Sequence, residues 1–462
     1  MQNDLRRYPA HHKAGRQTLG RFTAGATLLL IASLSTQANA APTAQDKTLL
    51  PNTRFFVPSP ADGSIQQAVG LLQKGQLENA LLIAAMEVTP QAVWLPSGTP
   101  SEVSAAATKV LQEANAEQAV PTLVLYNIPG RDCGSYSAGG AQNTQAYEAW
   151  IDAIAAAIGN QKVIIVLEPD ALANLPSDCG YDPTKVDIPQ ATADRYTQIN
   201  YAVTRLEENP GTLVYLDAGN SDWHSVGDMS VRLIKGGLQQ VQGFFSNVSN
   251  YRNNSYEAKF DTWISACVAF ANNASDGGWR LGHYDYCASQ YYSPLGTVDP
   301  NNIATWVYSD RWYAQNLGSA APTTHFIVDT SRNGQGPFNA SPAANAPFNQ
   351  PASVVQTLNS GSWCNPPARG LGLHPTANTG VPLLDAYLWV KTPGQSDGSC
   401  DAQGGARAWS YSSFTLPGWP TDTAGQATFD PLWGTVDPNA GAWFPQQALD
   451  LAQRANPGLL HW

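Results

Sequence analysis

The sequence predicts an α/β fold in which parallel strands alternate with helices around a barrel of seven or eight units. Three observations carry this. Short runs of β-branched and aliphatic residues, of which Val163–Leu167 is the clearest, read as strands buried on both faces, as in parallel sheets. Segments of helical period separate them. Several of the runs end in polar side chains, the pattern of a barrel that keeps its chemistry at the C-terminal mouth of the strands.

Taken in order, residues 41 to about 60 form an extended arm that contains proline, and Gln91–Leu95 is a candidate first strand. Ser101 is a good N-cap for a helix that places Val103, Ala107, Val110, Leu111 and Ala114 on one face. Thr122–Ile128 is the next strand. Tyr147, Trp150, Ile151, Ile154 and Ile158 mark an amphipathic helix closed by Gly159. The strand that begins at Lys162 ends abruptly in Glu168-Pro-Asp170, where proline halts the ladder. A helix is expected soon after, and an Asp in that place ordinarily caps it. Tyr196, Ile199, Val203 and Leu206 mark a helix ending near Pro210-Gly211, and Thr212–Leu216 runs into Asp217. Further strands are expected at Gly243–Val248, His325–Asp329 and Ala386–Lys391. With no repeat and no Gly/Pro/Ser/Thr-rich linker, the expectation is one domain.

The 462 residues are enough for a large core. The first forty read differently. Five basic residues between Arg6 and Arg21 precede the apolar stretch Ala24–Leu34, and Ala38-Asn39-Ala40 is a small-residue cleavage site. This is the plan of a secretory signal over 1–40, with an apolar core too short to span a bilayer. Without it the chain keeps 20 of its 25 basic and 35 of its 36 acidic side chains, a formal charge of −15. That balance argues against nucleic acid or anionic lipid as a partner and suits a neutral substrate. No later apolar run is long enough for a membrane span. All six cysteines lie in the mature part, and an even number in an exported chain implies disulfides. Fifteen pairings are open; sequential pairing is the expectation, because each such pair closes a loop beside a strand end. There is no C-x-x-C and no H-E-x-x-H, and the histidines are scattered, so neither a metal nor another cofactor is expected. Fourteen Trp and eighteen Tyr can bury well or stack on sugar faces.

The polar strand endings are Tyr126 with Asp132, Asp170, Asp217, Asn247 with Asn250, Asp329 with Arg332, and Lys391 with Asp397. Repetition on strand after strand suggests a ring of functional groups around one mouth. The stretches Tyr126–Gly140 (YNIPGRDCGSYSAGG) and Val163–Asn174 (VIIVLEPDALAN) resemble the two signatures of glycoside hydrolase family 6, the inverting cellulases. The resemblance continues through Asp217-Ala-Gly219, Ser246–Tyr251, Phe326–Gly334, Gly361–Cys364 and Leu388–Gly398, and so covers essentially the whole mature chain, 41–462, as a single catalytic domain.

It implies a distorted barrel of about seven strands and a secreted, monomeric β-1,4-glucan hydrolase acting on cellulose or cello-oligosaccharides. Asp170 would be the general acid, its proton retained by burial or a neighbouring like charge. Asp132 would share its proton network, with Arg131 holding Asp132 ionised and in place. Asp397 would be the base, the carboxyl groups standing roughly 6.5–9.5 Å apart to admit a water; a water chain reaching Asp132 is the alternative. Tyr126 would lie beside the distorted sugar, Trp223 and Trp363 would stack on glucosyl faces, and Asp217, Asn247, Asn250, Arg332 and Lys391 would complete the subsites. Cys133–Cys179 and Cys364–Cys400 would tie active-site loops down, with Cys267–Cys287 the third bond. Two positions depart from the pattern: Asn220 stands where the family often has His, and Gln395 where many members have Glu. The long segment Thr392–Trp433 resembles the lid of bacterial cellobiohydrolases, so the exo mode is expected. An open-cleft endoglucanase is the alternative, and a non-catalytic glucan-binding protein is disfavoured because both Asp132 and Asp170 are present.

Overall fold

The computed structural model describes residues 47–296, 299–400, 406–415 and 418–460, and the expected signal over 1–40 lies outside them. Two helices come first, α1 (Ser64–Gln73) and α2 (Leu77–Glu87). Strand β1 (Val93–Leu95) leads through α3 (Pro100–Ala116) to β2 (Thr122–Leu125), and α4 (Thr144–Ile158) leads to β3 (Val163–Leu167). Then come α5 (Ile188–Glu207), β4 (Thr212–Asp217), α6 (Val226–Lys235), β5 (Gly243–Ser246), α7 (Asn254–Ala271) and α8 (Val307–Asn316). The chain ends with β6 (His325–Asp329), α9 (Ala352–Ser360), β7 (Leu384–Leu388), the short α10 (Thr423–Gln426), a small antiparallel pair β8 (Phe429–Asp430) and β9 (Thr435–Val436), and α11 (Pro445–Gln453).

Strands β1 to β7 lie side by side in chain order, every neighbouring pair parallel. This is the distorted seven-stranded barrel. Its seam runs between β1 and β7, where the Ala92 amide donates to the Trp389 carbonyl at 2.9 Å and the Trp94 indole donates to the Val390 carbonyl at 2.8 Å. Strand alternation splits the apolar side chains into two cores. Val163, Ile165 and Leu167 face the helices, with Leu123, Val214 and Phe244. Ile164 and Val166 fill the barrel with Val124, Leu213, Tyr215, Phe245, Ile327 and Leu388. The N-terminal arm joins that interior through Leu49 and Phe55, and Phe55 bridges to Val120.

Several boundaries differ from the sequence reading, for identifiable reasons. Helix α3 is capped at Thr99, not Ser101, because Thr99 and Glu102 form a capping box and Pro100 takes the first helical position. Strand β2 stops at Leu125 because the next free amides, Asn127 and Ile128, donate to the Glu168 carboxylate. Strand β7 stops at Leu388 because the Val390 and Lys391 amides donate to Asp329. Strand β5 stops at Ser246 because Asn247 takes a left-handed conformation, φ 67°. No helix follows Asp170 directly; the chain turns through 169–174 and enters α5 only at Ile188, capped by Asp187.

Gly243 opens β5 where that strand meets β6, and a Cβ there would sit 1.8 Å from the His325 carbonyl oxygen. Gly243→Ala must therefore push the two strands apart. We expect a loss of about 1–3 kcal/mol or more in unfolding free energy, measured by denaturant titration.

Candidate active site

The C-terminal mouth is built on a tightly held turn. Glu168 and Asp170 are both left-handed, with φ of 51° and 68°, a strained state for non-glycine residues that the surroundings must impose. Glu168 is fully buried, and its carboxylate accepts from Asn127 at 2.9 Å and Ile128 at 3.0 Å. Asp217, at the end of β4, accepts from the amides of Leu172 at 3.1 Å, Ala173 at 2.8 Å and Gly219 at 3.0 Å. Arg195, buried on α5, donates to the Ala171 carbonyl at 2.9 Å and to those of Pro129 and Gly130 at 3.3 and 3.4 Å. It thereby joins the turn carrying Asp170 to the loop carrying Asp132. Arg232 adds bonds to the Leu172 and Ala173 carbonyls at 3.1 and 3.3 Å.

Asp132 is also left-handed, φ 54°, and accepts from the Ser137 amide at 2.7 Å. Its neighbour Cys133 is bonded to Cys179; Cys267–Cys287 and Cys364–Cys400 complete the sequential pairing. Arg131 and Asp132 form no ion pair among the described residues. The Arg131 guanidinium donates to the carbonyls of Ser137 (2.7 Å), Pro96 and Tyr126 and lies 4.8 Å from the Tyr126 ring, so it braces the loop. Asp397 is held differently. Its Oδ2 accepts from Arg332 at 2.9 Å and from the Asn365 amide at 3.0 Å, and Lys391 Nζ stands 3.3 Å from Oδ1.

These surroundings drive the carboxyls apart. Burial pushes Asp170 well above the ordinary carboxylate range, and the like charges of Asp217 and Asp132 push the same way, against Lys391. Asp132 is raised too, by burial, against the Ser137 amide and the charges of Arg131 and Lys391. Burial also acts upward on Asp397, but Arg332 and Lys391 outweigh it and hold that carboxyl below its usual range. One group that keeps its proton beside one that loses it is the electrostatic pattern of acid and base assignments.

A cavity of about 590 Å³ collects these groups. Of the residues singled out in the sequence, Asp132, Asp170, Asp397, Tyr126, Trp223, Asn250, Trp363 and Lys391 line it. Arg131, Asp217, Asn247, Arg332 and Gln395 do not, and Asp217, Asn247 and Arg332 are buried. Asn247 donates to the Asp329 carbonyl at 2.8 Å and accepts from the Arg252 amide at 3.0 Å, while the Gln395 backbone bridges to Trp443. The wall also contains residues the sequence reading passed over. Trp94 meets Tyr126 edge-on at 5.3 Å, and Asp222, after β4, and Tyr251 and Arg252, after β5, also line the cavity. Trp94 had a signal, as an aromatic at the end of a strand. So did Arg195, the one charged residue on the buried face of α5.

A parallel barrel whose mouth gathers a raised and a lowered carboxyl in an aromatic-lined cavity has the form of a glycoside hydrolase. The particular family follows from comparison. The chain belongs to the glycosyl hydrolases family 6, whose model matches residues 50–455. Endoglucanase 1 of Streptomyces sp. (strain KSM-9) is 32% identical over 319 residues, covering 69% of this chain and 66% of that protein. The chain thus spans just under two thirds of that relative's length. A probable 1,4-β-D-glucan cellobiohydrolase C of Aspergillus terreus is 28% identical over 420 residues, covering 84% and 72%. Among solved structures, the endoglucanase Cel6 from Mycobacterium tuberculosis, in complex with a methyl-cellobiosyl-thio-cellobioside, superposes with a TM-score of 0.57 at 29% identity, covering 88% of this chain and 99% of that one.

Burial pushes the Glu168 carboxyl up to about 7, against the Asn127 and Ile128 amides, Tyr147 and Arg195. The folded protein therefore holds a proton there that the unfolded chain, with an ordinary carboxyl, releases. Its stabilising effect is complete at acid pH and is lost as pH rises from about 4.5 to about 7. In Glu168→Gln that pH dependence is expected to flatten, as read from melting temperatures across the same window.

Proposed function

We propose that this chain is a secreted, inverting β-1,4-glucan hydrolase that works on cellulose as a cellobiohydrolase, releasing cellobiose from chain ends. The observation that carries the reading is the pair of opposed carboxyls, Asp170 and Asp397, in one aromatic-lined cavity. In this reading Asp170 protonates the glycosidic oxygen as the bond to the leaving sugar breaks. Water attacks the anomeric carbon from the opposite face and gives up a proton to Asp397, which its two cations keep ionised. Asp132, which binds its proton more firmly, is the competing acceptor, reached through water. Tyr126 and Trp94 would pack beside the sugar being cleaved, with Trp223 and Trp363 stacking on its neighbours. Asp217, Asn247 and Arg332 serve in this reading as positioning residues behind the wall, through Asp170, the β5 loop and Asp397 respectively. The signal over 1–40 and the three disulfides support export.

For the exo mode, the support is contact between loops. The Tyr136 hydroxyl, after β2, donates to the Cys400 carbonyl at 3.1 Å and accepts from the Ala406 amide, both in the long segment after β7. Such contact favours a roofed path over an open groove. The endoglucanase reading is favoured by the names of the Streptomyces and M. tuberculosis relatives. Product analysis separates the two. Mostly cellobiose with little loss of viscosity on soluble cellulose is expected, and rapid thinning would instead assign the endo mode.

Asp170→Asn is expected to lower turnover by about 10²–10⁴ while cello-oligosaccharide binding by calorimetric titration stays within a few-fold. A fully active variant would remove Asp170 from the acid role. The first product seen by NMR is expected to be the α-anomer, as inversion demands. Turnover should fall on the alkaline side, as Asp170 loses its proton, and on the acid side, as Asp397 gains one.

A further inference from the structure

We propose that the segment 279–292, between α7 and α8, is a second binding surface for β-1,4-glucan, outside the cleft. The proposal rests on the glucan-hydrolase reading and concerns how the enzyme stays on an insoluble substrate.

Six of the Phe, Trp and Tyr residues among those described are at least 37% exposed. Two of them, Trp223 and Trp363, at 37% each, line the cavity. The other four are Trp279 and Tyr286 at 49%, Tyr291 at 45% and Tyr292 at 37%, all within fourteen residues of one another in the chain. Single exposed aromatics are ordinary, but a concentration of them in one short segment marks an interaction site.

The exposure is built in. Cys267–Cys287 ties the segment to α7. The Arg280 guanidinium lies 5.1 Å from the rings of both Phe270 and Trp279 and donates to the Leu317 carbonyl at 3.0 Å, which props Trp279 outward. The Tyr284 carbonyl sits so close to Gly227, at the start of α6, that a Cβ there would lie 2.2 Å away. Around this backbone the His283 ring stacks on Tyr286 at 4.4 Å and 9°, and Trp279 stands 6.3 Å from Tyr286. Three flat rings thus form one patch whose ordering cost has already been met in folding.

The segment is anchored to a loop of the cleft wall. The Gln290 amide donates to the carbonyls of Ser221 (3.0 Å) and His224 (2.8 Å), which flank Asp222 and Trp223, both in the cavity wall. Tyr291 and Tyr292 follow immediately and are exposed, whereas Ala288, Ser289 and Gln290, between them and the Trp279–Tyr286 patch, are buried. A β-glucan is the occupant that fits. Its pyranose rings present apolar C–H faces to the negative face of an aromatic ring, it carries no charge to be repelled by a mature chain of −15, and it already occupies the cleft in the reading on which the proposal rests.

The test uses the wild type with two variants, Trp279→Ala/Tyr286→Ala and Tyr286→Ala, none of whose changed residues belongs to the catalytic or cleft machinery. Cellohexaose hydrolysis in solution, adsorption to microcrystalline cellulose, melting temperature and sedimentation are measured for each. We expect soluble hydrolysis within twofold of wild type for both variants, with cellulose adsorption lowered at least fivefold in the double variant and about twofold in Tyr286→Ala. Wild-type adsorption in a variant of normal melting temperature would overturn the proposal, as would a wild-type dimer that the variants split, which would assign the patch to a second copy of the chain. If the double variant fails to fold, the Tyr286→Ala result decides. Failure of the wild type to cleave cellohexaose would sink the hydrolase reading and leave the adsorption result to be judged separately.

Discussion

Buried carboxylates that accept main-chain amides hold the mouth of this barrel in shape. Where parallel strands run out, their ladders leave N–H groups pointing into a region closed to water, and an unpaired buried amide is costly. Glu168 supplies acceptors to the loop after β2, Asp217 to the turn after β3, and Asp329 to the loop after β7. Each reaches from its own strand to the neighbouring connection. The mouth is therefore stitched laterally by side chains after the backbone ladder has ended.

This stitching explains the strain at the functional groups. Asp132, Asp170, Glu168 and Asn247 all sit in the left-handed region that side chains disfavour. The cost of such conformations is of order 1–3 kcal/mol each, and they persist where hydrogen bonds leave the chain no alternative. The turn from Glu168 to Ala173 is bonded by Glu168, Asp217, Arg195 and Arg232. The result is an Asp170 aimed into the cavity by a backbone that cannot relax into a helix.

The same burial sets the electrostatics. Glu168, Asp170, Asp217 and Asp329 all have carboxyls pushed upward, first by loss of water. Asp397 escapes because two cations converge on it, and the cost of burying Arg332 and Lys391 is offset by that same carboxylate. Lys391 acts on three carboxyls at once, drawing Asp132, Asp170 and Asp397 downward. The separation of Asp170 from Asp397 thus comes from the unequal sharing of a few buried charges.

The sequence by itself determined the barrel, because runs such as Val163–Leu167 are too apolar to sit anywhere but between two layers, and the spacing of Tyr147, Trp150, Ile151 and Ile154 admits only a helix packed on one side. It also determined which carboxylates gather at the mouth, since strand ends in a parallel barrel share one rim. Local pattern could not show where each ladder stops, because the amides of Asn127, Val390 and Lys391 are claimed by Glu168 and Asp329, forty or sixty positions away. Nor could it separate Asp170, which faces the cavity, from Asp217, which faces the backbone, or reveal Arg195 as the tie between two loops. Those distinctions depend on direction and distance between residues remote in the chain, and only the folded arrangement supplies them.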